Sequence, residues 1–159
     1  MDCPYRAFYK RDLNSIDGVF TILNRHTGEK IFSRLPARSG QRGYTQYDWT
    51  RGKAPIPRGQ HYIHFQTPKQ KDRWPGRTGI GEFWSISNQL DNPRLIRDKK
   101  TGLYRYDIGI HPENSFPGSA GCIVLVIDTK AQREQVIRLS NWAESQIGKY
   151  FYMPLEVFT

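Results

Sequence analysis

The chain has 159 residues, of which 37% are hydrophobic and 13% aromatic, and its 24 Lys and Arg against 15 Asp and Glu give a formal net charge of +9. This length allows one domain with a sizeable core, so folding needs neither disulfides nor a metal, and the composition argues against a disordered chain. The positive charge favours polyanionic partners such as nucleic acid, anionic lipid or acidic wall polymers, without choosing among them.

The N-terminal segment MDCPYRAFYKRDLNSIDGVF has charges and a proline where a signal peptide needs an apolar run. No stretch of the sequence is long and apolar enough to predict a transmembrane helix. If the protein acts outside the cytoplasm, we therefore expect delivery by a route other than the general secretory signal, or a leader that this sequence does not include. The two cysteines, Cys3 and Cys122, do not resemble a disulfide framework and leave the compartment open.

An opening β-hairpin is predicted from the apolar runs 18–24 and 30–34, which flank the glycine-containing connection RHTGE. Residues 35–60 contain too much glycine and proline for long regular elements, so we expect a surface excursion near a functional site.

Further strands are predicted at residues 61–66, 81–87 and 103–110, where aromatic and aliphatic side chains are concentrated. The run CIVLVI at 122–127 is short, continuously apolar and rich in β-branched residues, which is typical of a central strand covered on both faces.

One helix is predicted at 129–147, with Asp128 or Thr129 as its N-cap and an apolar stripe along one face. The final residues FYMPLEVF predict a closing strand in which the Met-Pro step marks an edge or a bulge. Because no linker or internal repeat interrupts the sequence, residues 1–159 are predicted to form a single, mainly β domain with two packed mixed sheets and one helix.

The segment IHPENSFPGSAGC joins one of the four histidines to one of the two cysteines. If the strands at 103–110 and 122–127 are neighbours, His111 ends one and Cys122 begins the other, so both side chains return to the same edge of the sheet. An adjacent imidazolium lowers the pKa of a thiol enough to populate the nucleophilic thiolate. The sequence therefore predicts Cys122 as a nucleophile and His111 as its base.

The loop before Cys122 also suits acyl transfer. Gly121 lets the backbone approach a substrate closely, and backbone N–H groups from Ala120 to Cys122 can point at a developing oxyanion. Ser119 either orients this loop through its hydroxyl or hydrogen-bonds the substrate, and the sequence does not choose between these roles.

His111, the glycine-containing loop and the Ser-Ala-Gly-Cys run at 119–122 resemble the signature of YkuD-type L,D-transpeptidase catalytic domains. A second similarity lies at 57–63, where PRGQHYI resembles the Pro-x-Gly that precedes a strand in this family. The resemblance covers residues 18–127 and implies a β-sandwich of two mixed sheets, followed here by the helix and the closing strand.

Two positions depart from the family pattern. Pro112 follows the histidine where family members usually have glycine, and Val124 stands two residues after the cysteine where many have arginine. If that arginine helps to hold the substrate, its role must pass to another basic residue such as Arg58, or the substrate differs.

The resemblance implies acyl transfer on peptidoglycan stem peptides without a cofactor or a metal. Cys122 would attack the carbonyl of the third residue, expel the terminal D-amino acid and form a thioester. An amine acceptor then gives a cross-link or an exchanged D-amino acid, whereas water gives an L,D-carboxypeptidase or endopeptidase, and no residue separates these outcomes. The predicted substrate-binding residues are Ala120, Arg58, Tyr62 and Asn114.

The implied site of action is the periplasm or the cell wall. The loop also resembles that of compact relatives used as wall-attacking effectors or phage-type lysins, which tend to lack a signal peptide. An effector of this kind would have delivery machinery and an immunity protein as further partners, and the sequence identifies neither, nor an oligomeric state.

Other functions stay open at this point. The charge of +9 with the segments YRYD, KDRWPGR and RDKK is similar to a basic, aromatic nucleic-acid-binding surface, although this leaves the His–Cys loop unexplained. A non-catalytic wall-binding domain with the same fold is a second alternative, in which Cys122 could simply fill the core. Zinc is disfavoured because His61 and His64, three apart in a strand, should face opposite sides.

Overall fold

The structure is a computed structural model that describes residues 2–68, 84–113, 119, 121–146 and 149–159, with the backbone alone for 66–68. The elements in chain order are β1 (Tyr5–Arg11), β2 (Asp17–Asn24), β3 (Lys30–Arg38), β4 (Gly59–Pro68), β5 (Trp84–Ser87), β6 (Leu95–Arg97), β7 (Tyr104–Tyr106), β8 (Gly109–Pro112), β9 (Ile123–Leu125), α1 (Lys130–Gln146) and β10 (Tyr152–Phe158).

Eight of the strands close into one barrel in the order β1-β10-β4-β5-β8-β9-β3-β2, while β6 and β7 form a separate two-stranded sheet. The ends of the chain close the barrel, because β1 pairs in parallel with β10 and antiparallel with β2. The mainly β class with one helix is confirmed. The expected sandwich of two mixed sheets is corrected to one closed sheet. Strand β10 pairs with both β1 and β4, so the sheet is continuous at this point and is not divided into two layers.

The predicted hairpin is confirmed as β2 and β3, and both strands are longer than expected. The predicted strand 103–110 is wrong as one unit, because it is divided between β7 and β8. The break falls at Asp107, whose φ of 59° lies in the left-handed region that strands do not contain. Residues 81–83 of another predicted strand lie outside the described residues.

The closing strand β10 is confirmed, but its predicted edge position is wrong. It lies between β1 and β4 inside the barrel sheet. Its pairing with β1 begins at Leu155, which is matched with Ala7, so the missing N–H of Pro154 falls just outside that ladder.

The helix α1 is confirmed and is capped by Thr129. Thr129 Oγ1 accepts from the Gln132 amide at 3.1 Å, and Gln132 Oε1 accepts from the Thr129 amide at 3.0 Å, which forms a reciprocal capping box. Trp142 anchors the helix on the barrel, with its ring in edge-to-face contact with Tyr5 at 4.9 Å and Phe32 at 5.8 Å between centroids. Among the described residues, no helix has the length and apolarity needed to cross a membrane.

Two histidines of β4 are buried inside the protein. His61 Nε2 lies 2.7 Å from the Pro57 carbonyl oxygen, and His64 Nε2 lies 2.7 Å from Ser87 Oγ. Burial lowers the pKa of both imidazoles to about 4. Both imidazole rings are therefore neutral and packed inside the protein.

Acid is expected to destabilise the fold through these two histidines. Their unfolded pKa, near 6.5, exceeds the folded value, so the stabilisation is complete above about pH 6.5 and is lost as the pH falls towards 4. We expect the free energy of unfolding to decrease by on the order of 1–3 kcal/mol per histidine across this window. Urea unfolding at a series of pH values measures this, and His64→Phe should show a shallower slope than the parent; equal slopes would contradict the prediction.

Candidate active site

His111 belongs to β8 and Cys122 directly precedes β9, and these two strands are neighbours. They pair in parallel, so the end of β8 and the start of β9 do not meet at one edge of the sheet, and the expected return to the same edge is corrected. The strands β8 and β9 run parallel with His111 opposite Val124, so Cys122 lies two residues before the partner of His111. Since Ile123 belongs to the core cluster, the alternation of side chains places Cys122 and Val124 on the opposite face of the sheet from Ile123.

The hydrogen bond of His111 defines its tautomer. His111 Nδ1 lies 2.7 Å from the Pro112 carbonyl oxygen, which can only accept, so Nδ1 carries the hydrogen and donates it. In the neutral ring Nε2 is then the atom with a lone pair. His111 is only 8% exposed and lines the apolar space between the barrel and α1, whereas Cys122 lines a different cavity. These features suit a general base held in one orientation.

Cys122 forms no disulfide, is half-buried and lines a cavity of about 240 Å³. Its Sγ lies 4.0 Å from the Asp107 carbonyl oxygen, to which the thiol donates. The cavity is lined, besides Cys122, by Arg51, Gly52, Arg105, Tyr106, Asp107 and Ile108. In contrast, Cys3 is 5% exposed within the core cluster. Cys3, and not Cys122, is therefore the cysteine that fills the core.

The hydroxyl of Ser119 organises the loop before the cysteine. Ser119 Oγ donates to the Cys122 carbonyl at 2.6 Å and accepts from the Gly121 amide at 3.2 Å and the Gly40 amide at 3.3 Å. The Ser119 amide in turn donates to the Gly40 carbonyl at 3.0 Å. Of the two roles that the sequence left open, these contacts favour orientation of the loop.

Residues in the excursion after β3 also contact the loop before Cys122. Ser39, which is fully buried, donates its hydroxyl to the Gly121 carbonyl at 3.2 Å and accepts from the Ile56 amide at 2.9 Å. Gly40 adopts a φ of 74°, and a Cβ there would lie 2.5 Å from the Pro55 nitrogen. The excursion predicted at 35–60 is therefore packed against the cysteine loop, in the expected vicinity of the site.

The remaining predicted residues are placed differently. The Gly121 amide serves Ser119 and not an oxyanion in this arrangement. Arg58 stacks over the Tyr47 ring at 4.8 Å and donates to the Tyr47 hydroxyl, while Tyr62 packs edge-to-face with Tyr152 at 5.1 Å. Neither Arg58 nor Tyr62 lines the Cys122 cavity. The predicted substrate-binding residues Ala120 and Asn114 lie outside the described residues.

A cation lies next to Val124, the position where the family often has arginine, but it is Arg38 and not Arg58. Arg38 is opposite Val124 in the pairing of β3 with β9. Its guanidinium forms ion pairs with Glu113, with Asp17 at 2.9 Å and with Asp128 at 3.7 Å. Glu113 directly follows β8, and its side chain is only 5% exposed. The ion pair between Arg38 and Glu113 therefore anchors the strand that carries His111.

In the described part of the chain, no three His, Cys, Asp or Glu side chains are grouped as a metal site would require. His61 and His64 already have protein partners for one ring nitrogen each.

A protein-family model for the YkuD L,D-transpeptidase catalytic domain matches residues 20–145. The chain belongs to this family. The match extends beyond residue 127, where the sequence resemblance ended, and includes most of α1. This L,D-transpeptidase domain is therefore of a type that acts on peptidoglycan. Comparisons with curated proteins and with solved structures give no significant match.

Sequence reasoning about this L,D-transpeptidase domain missed Arg38, Ser39 and Arg105. Arg38 and Ser39 lie in the segment predicted as a surface excursion and Arg105 in a predicted strand, and each is buried or engaged because a distant part of the chain packs on it. The sequence signal for such a contact is Gly121, which precedes Cys122 and leaves room for a large side chain to pack beside it.

Ser119→Ala is expected to reduce kcat about tenfold, because three hydrogen bonds that position the Cys122 backbone are lost. Stability should decrease by about 1–3 kcal/mol, since buried polar groups lose their partner. Ser15→Ala, which removes a hydroxyl from an exposed turn, is the matched control and should leave both quantities unchanged. Steady-state kinetics and urea unfolding measure the two effects; a Ser119→Ala variant with parental kcat would exclude the orienting role.

Proposed function

We propose that this protein is a cysteine-dependent acyltransferase that cleaves the L,D bond after the third residue of a peptidoglycan stem peptide. Cys122 is the nucleophile, His111 is the general base and acid, and Ser119 and Gly121 position the nucleophile. The observation that supports this proposal is the pairing of β8 with β9, in which Cys122 lies two residues before the partner of His111 and lines a cavity.

In the acylation step, His111 Nε2 accepts the Cys122 proton and the sulfur attacks the carbonyl carbon of the third residue. The C–N bond to the terminal D-amino acid then breaks, and the imidazolium returns the proton to the departing amine. The products of this half-reaction are a thioester on Cys122 and a free D-amino acid.

In the second step, His111 deprotonates the acceptor, which attacks the thioester and displaces the Cys122 thiolate. An amine of a second stem peptide gives a cross-link, a free D-amino acid gives exchange, and water gives carboxypeptidase activity. The hydrogen bond from Nδ1 to Pro112 keeps Nε2 available for both proton transfers.

Mass spectrometry of purified muropeptides after incubation with the protein tests this function. We expect tetrapeptides that have lost one D-amino acid, carry another D-amino acid in its place, or are joined through a 3–3 link. Unchanged muropeptides, with a Cys122 that also resists alkylation, would overturn the proposal. In that case wall binding retained by Cys122→Ala would support a non-catalytic domain, and salt-sensitive DNA binding would support the basic nucleic-acid module.

A further inference from the structure

Arg105 is a buried cation in the wall of the Cys122 cavity. It lies in the middle of β7 and is 2% exposed, although both neighbours in the strand are more accessible. Its Nη2 donates to the Ala54 carbonyl at 2.9 Å and its Nη1 to the Pro55 carbonyl at 3.4 Å. These carbonyls satisfy N–H groups but carry no net charge, so a full positive charge is held inside the protein.

Gly121 provides the space for this guanidinium. A Cβ on Gly121 would lie 2.1 Å from Arg105 Nη2 and 2.8 Å from Ile108 Cδ1, both closer than real Cβ contacts, and 3.2 Å from Arg105 Cζ. The φ of Gly121 is also 126°, a conformation that favours glycine. Glycine at position 121 therefore fits both the backbone conformation and the close approach of Arg105 and Ile108.

Among the described residues, the charged groups that line the Cys122 cavity are Arg51, Arg105 and Asp107. Asp107 faces the cavity, but Arg94 donates to both of its carboxylate oxygens, at 2.8 and 2.9 Å. Arg51 adds a second guanidinium at the cavity, stacked over the Tyr104 ring at 4.1 Å.

Two further titratable groups in the described part of the chain are Tyr106, in the cavity wall, and His111, on the adjacent strand. Burial lowers the pKa of Arg105, and the negative charge of a Cys122 thiolate opposes that shift. The thiolate and the guanidinium are thus close enough to stabilise each other.

We propose that Arg105 is a charge-stabilising residue of this site, whose buried guanidinium favours the thiolate form of Cys122. The proton leaves the thiol for His111 Nε2, and Arg105 stabilises the sulfur anion that remains and that forms again when the thioester is resolved. The inference rests on the proposed role of Cys122 as the nucleophile. It assigns to Gly121 a steric role, namely to admit this cation.

The pH dependence of Cys122 alkylation by iodoacetamide tests this role. Mass spectrometry follows the reaction in a Cys3→Ala background, so that only one thiol reacts. The parent should react with a midpoint below about pH 8.5, the ordinary thiol value. In Arg105→Met the midpoint should rise by about one pH unit or more, which is about a tenfold lower rate at neutral pH, and Arg105→Lys should recover most of the shift.

Arg11→Met is the matched control. Arg11 is also a buried arginine, 1% exposed, that donates to the backbone carbonyls of Ser39 and Tyr44 at 3.0 and 2.9 Å. Its electrostatic partners are Tyr9, Asp12, Asp17 and Asp48, and do not include Cys122. Arg11→Met should therefore lower the unfolding midpoint without moving the alkylation midpoint.

Two results would overturn the proposal. One is an alkylation midpoint in Arg105→Met that equals the parent's or moves no further than in Arg11→Met, which would make Arg105 a structural brace. The other is a parental midpoint at or above about pH 8.5, which is informative even if Arg105→Met does not fold. Because alkylation needs no peptidoglycan, a midpoint that depends on Arg105 together with unchanged muropeptides would support the thiolate pair and reject the proposed substrate.

Discussion

Cys122→Ala is expected to lower kcat on muropeptides by about 10⁴-fold or more, because no other group in the cavity can form the thioester. The protein should remain folded, since Cys122 is half-buried at the cavity and its side chain contributes little to the core. The release of D-amino acid, measured under saturating substrate, gives kcat directly. Binding to isolated cell walls should be retained.

Cys3→Ala is the control for this change, because it removes the other thiol of the chain. Cys3 is buried in the core cluster, so its removal should cost some stability but leave kcat within about twofold of the parent. If Cys122→Ala kept more than a tenth of the parental kcat, or if Cys3→Ala lost as much activity, the assignment of the nucleophile would be wrong.

His111→Asn is expected to reduce kcat by about 10²–10⁴-fold, the range that a general acid–base group contributes. Asparagine places an N–H donor close to the position of Nδ1, so the hydrogen bond to the Pro112 carbonyl can be kept while the lone pair of Nε2 is lost. The loss of kcat in His111→Asn should become smaller as the pH rises, because Cys122 then ionises without a base. A pH series of kcat for the parent and the variant measures this.

His61→Gln provides the control for the removal of a buried histidine. His61 is 2% exposed and its Nε2 lies 2.7 Å from the Pro57 carbonyl oxygen, a geometry that a glutamine amide can imitate. This variant should change stability and leave kcat near the parental value. A His111→Asn variant within fivefold of the parent at neutral pH would exclude His111 as the base.

Local patterns predicted much of the fold correctly. The hairpin of β2 and β3, the helix α1 with its Thr129 cap and the buried strand β9 were all visible in hydrophobic periodicity and capping residues. These features depend on residues that are close in the sequence. The sequence reasoning considered β8 and β9 as neighbours but assumed a connection that returns to the same edge, whereas the structure pairs them in parallel.

The strand β1 was not predicted, and the reason is a buried charge. Its inward side chains are Ala7, Tyr9 and Arg11, so a cation occupies one of the three core-facing positions and weakens the apolar alternation. Arg11 is tolerated there because two backbone carbonyls accept from it. Without β1 in place, the closure of the barrel could not be inferred.

The sequence alone predicted the class of the fold, the pairing of a histidine with a cysteine, and the family resemblance. These predictions follow from backbone periodicity and from a short motif. Only the tertiary structure showed that the chain ends close a barrel, that Arg38 neighbours Val124, and that Arg105 lies against Gly121 beside Cys122. The physical reason is that a buried cation is stable only when distant carbonyls or carboxylates surround it, and the assembly of such partners depends on long-range packing that no local pattern encodes.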